Sequence, residues 1–306
     1  MGFSQHTGLI VVGYFFDRNT LLIYDRTRSA MTTNSEGTAP AATSRSGQLT
    51  ADQLLQYDEQ GYVKNLVALT ETEVIELQQM FEELAARLPK DIDINQVNMW
   101  HKCSPWLYRF CRHPMILGYV ESVLGANFYQ WGGQFFVKYP GDGSQVPWHQ
   151  DAQYWPLTPQ QTTTVWLAVY DVDEDNAAMR IMAGSHRRGE FTHHENDAPH
   201  YVLEQEADIS SCSDNDIVTM SMKAGEISLH DSRLLHSSGA NESSRMRCGL
   251  TMRFSPTNVQ CDLSVWPTFE AYLAHGEDLH QLNPVGPAPV REGFPVRKFQ
   301  HSSEFR

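Results

Sequence analysis

The stretch PWHQDAQYW, residues 147–155, carries a histidine and an aspartate two positions apart, His149 and Asp151. Alternate side chains of an extended strand share a face, so the spacing offers two metal ligands from one strand. Two imidazoles and one carboxylate on one side of an iron ion leave positions open for a cosubstrate and oxygen. H-x-D alone is also an ordinary polar pair near a strand end, and the third ligand has to come from far along the chain. The segment LHDSRLLHSSGANESSRMRCGLTMRF, residues 229–254, offers His230 and His236. Arg247 follows His236 by eleven residues, on a strand that alternates Arg247, Gly249, Thr251 and Arg253 with Cys248, Leu250, Met252 and Phe254. An arginine turned into an interior needs an anionic partner. A dicarboxylate that chelates a metal at one end presents its far carboxylate to such a fork. One geometry therefore accounts for His149, Asp151, His236 and Arg247 together.

These residues must be positioned by a scaffold, and the sequence punctuates it clearly. Thr50 with Gln53 forms a capping box and Gly61 a stop; Thr70 with Glu73 forms a second box. Val74, Leu77, Phe81, Leu84 and Leu88 then recur at helical spacing until Pro89. A third helix fits HPMILGYVESVLG, with Pro114 in its first turn and Gly125 beyond its last. From about residue 127 the texture changes to short β-rich runs between Gly, Asn, Asp and Ser turns. Helices followed by many short strands predict an α+β domain, a β-sandwich or jelly roll buttressed by N-terminal helices. Residues 31–49 are rich in Ser, Thr, Ala and Gly and read as a disordered linker. Met31 is read as the natural start, with residues 1–30 an upstream addition. The expected organisation is an extension over 1–49 and one catalytic domain over 50–306.

Composition narrows the function. A net charge of −14 disfavours nucleic acid and anionic membrane surfaces. The five cysteines, Cys103, Cys111, Cys212, Cys248 and Cys261, include no C-x-x-C pair, which argues against a zinc site and for a reducing, cytoplasmic setting. No apolar run approaches membrane-spanning length, about 18 residues. GLIVVGYFF, residues 8–16, has neither a basic residue before it nor a small-residue cleavage site after it, so it is not read as a signal peptide. The expected partner is a small molecule; the oligomeric state is not legible.

WHQDAQYWPL, VWLAVYDVDEDNAAMRIMAGSH, and LHSSGAN followed by Arg247 together resemble the phytanoyl-CoA dioxygenase family, over roughly residues 50–260. The resemblance implies a double-stranded β-helix (jelly-roll, cupin-like) core, Fe(II), 2-oxoglutarate as cosubstrate and O2. It implies His149, Asp151 and His236 as iron ligands, ahead of His230, whose distance from Arg247 does not fit. It implies Arg247 on the 5-carboxylate of 2-oxoglutarate with Ser238 assisting, and Gln134 and Trp166 lining the cosubstrate pocket. Ser237 stands where the family usually has Gly, and Asn176-Ala177 where it usually has Asn-Gly; neither touches a ligand. Related halogenases carry a small residue at the position of Asp151, so the carboxylate implies hydroxylation, with succinate and CO2 released. Desaturation, epoxidation and cyclisation are the alternatives within the family, and a non-catalytic jelly-roll binding protein is the alternative outside it.

The family's substrates range from acyl-CoA esters to ectoine, natural-product intermediates and small phosphonates. Nothing in the chain resembles a dedicated CoA site, so a small polar metabolite is expected: a small phosphonate, an amino-acid derivative or a natural-product intermediate. Tyr154 matches a family tyrosine, and Asn98, Trp100 and His101 lie in a segment placed to form the pocket mouth; all four are candidate substrate contacts. Arg253 and Lys138 read as strand ends emerging into water, and His186, His193 and His194 as a solvated loop.

Overall fold

A computed structural model describes residues 47–293; the readings of residues 1–46, Met31 included, lie outside the described residues, while the linker expected to reach residue 49 is contradicted at its end, where Leu49 is buried in the main core and its N–H donates to Ser122 Oγ. The helices are α1 (Ala51–Gln60), α2 (Glu71–Arg87), α3 (Pro105–Phe110) and α4 (Pro114–Leu124). The strands are β1 (Tyr62–Val67), β2 (Phe128–Lys138), β3 (Val146–His149), β4 (Leu157–Thr158), β5 (Thr163–Ala168), β6 (Arg180–Met182), β7 (His193–Glu195), β8 (Gln205–Ala207), β9 (Ile217–Thr219), β10 (Glu226–Asp231), β11 (His236–Ser238), β12 (Arg247–Pro256), β13 (Gln260–Cys261) and β14 (Tyr272–His275).

The helix ends fall where the caps predict. Thr50 and Gln53 exchange hydrogen bonds of 2.9 and 3.2 Å across the first turn of α1. Gly61 ends that helix at φ +81°, in the left-handed region that glycine enters without cost. Thr70 and Glu73 close the same box on α2, whose Leu77, Phe81 and Leu84 are fully buried.

The strands form a six-stranded sheet, β1-β10-β5-β12-β2-β14, and a four-stranded sheet, β3-β11-β6-β9. All their pairings are antiparallel. The architecture is the expected mixture of N-terminal helices and two antiparallel sheets, except that β1, between α1 and α2, already belongs to the larger sheet. One face of the large sheet, with Phe135, Val165, Leu167, Leu229, Leu250, Met252 and Phe254, packs on α2 and α4 to make the main core. Phe81 of α2 meets Phe135 with ring centroids 5.2 Å apart. Along β12, Cys248, Leu250, Met252 and Phe254 take this side, so period two sends Arg247, Gly249, Thr251 and Arg253 to the opposite face. That face looks toward the small sheet. The site lies between the two.

Among the described residues, no helix is long and apolar enough to cross a membrane. All five cysteines are unpaired.

Candidate metal centre and cosubstrate pocket

His149 ends β3 and His236 begins β11, and the two are direct cross-strand partners. Their rings lie 4.0 Å apart between centroids. Asp151 does not share a strand with His149, as the H-x-D spacing predicted. The strand stops at His149, and Asp151 opens a 3₁₀ turn, Asp151–Tyr154. A backbone bond from Ala152 to the Ser232 carbonyl, 2.9 Å, ties this turn to the loop before β11. Asp151 Oδ1 comes 3.8 Å from His149 Nε2 and 3.9 Å from His236 Nε2. One ligand atom from each residue falls within 4.8 Å of the others, which is the spacing of a metal-binding trio.

The backbone fixes both imidazoles. His149 Nδ1 donates to the Pro147 carbonyl and His236 Nδ1 to the Leu234 carbonyl, each at 2.9 Å and each two residues back. These carbonyls are the outer-shell partners that a ligating histidine needs, and they leave each Nε2 lone pair aimed at the site. Burial and the nearby His149 push His236 down to about 3, so it is neutral, as ligation requires. Burial alone would raise the Asp151 carboxyl. The adjacent His149 and His236 imidazoles and the positive charge of Arg253 outweigh it and hold Asp151 well below the usual carboxylate range. The trio sets a largely buried carboxylate between two imidazole nitrogens, which suits a divalent iron ion.

Arg247 is buried on the site face, with its guanidinium 3.5 Å from Ser238 Oγ and 5.4 Å from the centre of the Trp166 ring. Its Nε has no partner, and burial pulls its pKa down to about 10. A desolvated, underused fork is the complement of a carboxylate. Gly249 makes room for Trp166: a Cβ there would stand 2.0 Å from Trp166 Cζ2. The tryptophan therefore lies across β12 beside Arg247.

Lys138 faces Arg247 across the β2–β12 pair and is buried, contrary to the expected solvated strand end. Its ammonium donates to the Ser144 carbonyl at 2.7 Å and to the Gly239 carbonyl. Burial first, then Arg247, brings it down to about 7. Arg253 is likewise buried rather than emerging into water. His186 is buried too, with Nε2 donating to the Asp58 carbonyl at 3.0 Å, so it is not part of a solvated loop. His230 faces the site with its ring 5.3 Å from that of His236, but it stands outside the trio.

The substrate candidates separate. The Tyr154 ring lies 6.1 Å from His149, and its buried hydroxyl has no partner. Trp100 and His101 are corrections. Trp100 packs edge-on to Phe135 in the helix-side core, and His101 sits against Gly133 on that same face, edge-on to Tyr272. Both are on the wrong side of the large sheet from His149. Asn98 is structural as well: its Oδ1 accepts from the Met99 and Gly133 backbone N–H groups and satisfies the free edge of β2. Gln134 shares the site-facing row with Thr251, but its amide N–H₂ is held by the Asn95 carbonyl. Sequence reading missed Trp131, Trp155, Thr164 and Ser228. Alternation along β12, extended to its neighbours, was the available signal for the last two.

A sequence model described as "Phytanoyl-CoA dioxygenase (PhyH)" matches residues 57–249. The peroxisomal phytanoyl-CoA dioxygenase of Mus musculus is 26% identical over 243 residues, 70% of either chain. The ectoine dioxygenase of Bordetella parapertussis is 25% identical over 261 residues, 77% of this chain and 78% of its own. The structure of the non-heme monooxygenase ThoJ without ligand superimposes with a TM-score of 0.62 at 24% identity, covering 83% of this chain and 92% of that one.

Proposed function

Since the chain belongs to the phytanoyl-CoA dioxygenase family and is an iron(II)- and 2-oxoglutarate-dependent oxygenase, we propose that it hydroxylates an unactivated C–H bond of a small polar metabolite. One O2 and one 2-oxoglutarate enter per turnover; one oxygen atom goes to the substrate carbon, the other to succinate, and CO2 leaves. The observation that carries the reading is the convergence of His149, Asp151 and His236 between the sheets, with a buried, underused Arg247 on the same interior face.

With ferrous iron, 2-oxoglutarate and O2 bound, such a site supplies an oxidant that takes a hydrogen atom from carbon. The residues of this chain do the rest. His149 and His236, oriented by the Pro147 and Leu234 carbonyls, would hold the ion through Nε2. Asp151 would neutralise one of its charges. Arg247, with the Ser238 hydroxyl beside it, takes the far carboxylate of the cosubstrate, and Trp166 walls that pocket against water. Lys138 holds the Ser144 and Gly239 carbonyls and so fixes the chain beyond Ser238. Tyr154, with its ring 6.1 Å from that of His149, is the residue this reading assigns to substrate contact. The catalytic unit in this reading spans residues 50–306. A reducing cytoplasm suits its five free thiols.

The test is O2 uptake and succinate release with Fe(II) and 2-oxoglutarate against a panel of small polar metabolites, with product masses recorded. A product heavier by one oxygen supports hydroxylation. Loss of two hydrogens refutes it in favour of desaturation or ring closure. Succinate from no panel member, with no iron bound, refutes the enzyme reading in favour of a binding scaffold.

A further inference from the structure

One row of the large sheet runs Gly132, Arg253, Thr164 and His230 across β2, β12, β5 and β10, all paired in register. All four positions face the interior that holds the metal trio. Neighbouring strands lie about 4.8 Å apart, so the three side chains form a continuous strip. Each carries a buried polar atom with no partner: Arg253 Nε, Thr164 Oγ1 and His230 Nδ1. Unpaired buried polar groups are costly, and three adjacent ones call for a ligand.

Arg253 is the centre of the strip. Among the described residues no hydrogen bond or ion pair engages its guanidinium, although the residue is 92% buried, its relative exposure being 8%. It lies 5.2 Å from the Trp155 ring and 5.9 Å from the Trp131 ring, and these two indoles meet edge-to-face at 4.7 Å. Gly132 lets it lie there, since a Cβ at that position would come 2.9 Å from Arg253 Cδ. Trp155 directly follows the turn that carries Asp151, and the His230 ring is 5.3 Å from that of His236. The strip is thus next to the metal trio. Arg253 is also six residues from Arg247 along β12, about 20 Å of extended strand.

Charge accounting points the same way. Ferrous iron and the two arginines bring four positive charges. Asp151 and the two carboxylates of 2-oxoglutarate answer three. Lys138 lies at the Arg247 end, hydrogen-bonded to two backbone carbonyls, and stands outside this count. One positive charge is left over, and Arg253 is its place.

We propose that Arg253, sleeved by Trp131 and Trp155 and flanked by Thr164 and His230, binds an oxyanion of the primary substrate, so that the substrate is an organic acid: a carboxylate, or a phosphonate or phosphate ester. The inference rests on the oxygenase reading and narrows its substrate class. The anion anchors one end of the molecule at the strip, and the carbon to be oxidised lies toward the His149–Asp151–His236 trio. The indole sleeve strengthens the interaction by excluding water around the fork.

The test uses the full chain with Fe(II) and 2-oxoglutarate under argon, so that no turnover occurs. Propionate, methylphosphonate and the uncharged propionamide are titrated, read by the visible iron–cosubstrate band and by indole fluorescence. Wild type should bind propionate or methylphosphonate at least about tenfold more tightly than propionamide, as a charge-assisted fork requires. Arg253→Gln should reduce that preference to within about twofold while leaving 2-oxoglutarate affinity within about threefold. Arg253→Lys, which keeps the charge in the same sleeve, should retain part of the preference. Equal binding of propionate and propionamide by wild type overturns the proposal without any variant. So does an R253Q chain that keeps the preference, or one that loses 2-oxoglutarate affinity tenfold or more, which would assign Arg253 to the cosubstrate. A wild-type chain that forms no visible band with iron and 2-oxoglutarate overturns instead the reading on which the proposal rests.

Discussion

Replacing Arg247 by methionine should make the ligand-free protein more stable and remove most of its affinity for 2-oxoglutarate. The guanidinium is buried with an orphaned Nε and a single weak contact at 3.5 Å. Burial brings its pKa to about 10. At ~1.4 kcal/mol per tenfold change in proton affinity, this corresponds to roughly 3 kcal/mol of unrecovered desolvation. Methionine keeps the length of the stem and loses the charge, along with the contact to Trp166, worth ~0.5–2 kcal/mol. The net is a gain of about 1–2.5 kcal/mol without ligand, or a rise in Tm of about 2–10 °C for a domain of roughly 250 residues. With ligand the sign reverses. A carboxylate left buried without its fork costs ~2–5 kcal/mol, which raises the Kd for 2-oxoglutarate about 30- to 4,000-fold. Melting curves with and without 2-oxoglutarate, and anaerobic titration of the visible band with Fe(II) present, read both effects. An R247M protein that melts lower than wild type without ligand, or that keeps the full 2-oxoglutarate shift, refutes the assignment of Arg247 as a charge held in waiting for the cosubstrate.

Three further changes should have distinct signatures. Asp151→Asn keeps the shape of the turn but removes the largely buried anion; breaking such a pair costs ~3–5 kcal/mol, so Fe(II) affinity by anaerobic equilibrium dialysis should fall about 100- to 4,000-fold. Gly249→Ala places a methyl 2.0 Å from Trp166, and the overpacking should cost ~1–3 kcal/mol. Trp166→Phe should recover part of that loss in the double variant, and strictly additive melting shifts would contradict the contact. Lys138 has a folded pKa of about 7, lowered by burial and by Arg247. Above that value the folded chain binds fewer protons here than the unfolded chain does, up to the unfolded lysine value near ~10.4, so this residue makes stability rise with pH by at most ~1.4 kcal/mol per unit. The wild type should therefore gain on Lys138→Met in chemical denaturation between pH 7.5 and 10; a constant or shrinking difference would show that Lys138 stays charged.

Much of this was legible because it is local. Thr50, Gly61, Thr70 and Pro114 mark helix ends through short-range caps, and each falls where it should. The period of two along β12 correctly put Arg247 and Arg253 on one face. What failed depends on where a segment goes after its strand ends. Asp151 reaches the site from a 3₁₀ turn, because β3 stops at His149 and the Ser232 carbonyl captures Ala152. Trp100 and His101 pass under the helix-side face of β2, since the Asn95 and Asn98 side chains pin the connecting segment to that strand's free edge. Lys138 and Arg253 sit near strand ends, where exposure is the usual outcome. They are buried because a loop covers one and two indoles from different segments cover the other.

Anomalous diffraction at the iron absorption edge, from crystals grown anaerobically with Fe(II) and 2-oxoglutarate, reads the central claim most directly. A single peak bonded to His149 Nε2, Asp151 Oδ1 and His236 Nε2, with the far carboxylate of 2-oxoglutarate on Arg247, is the expected map. A peak that takes His230 in place of His236, or cosubstrate density away from Arg247, would contradict it.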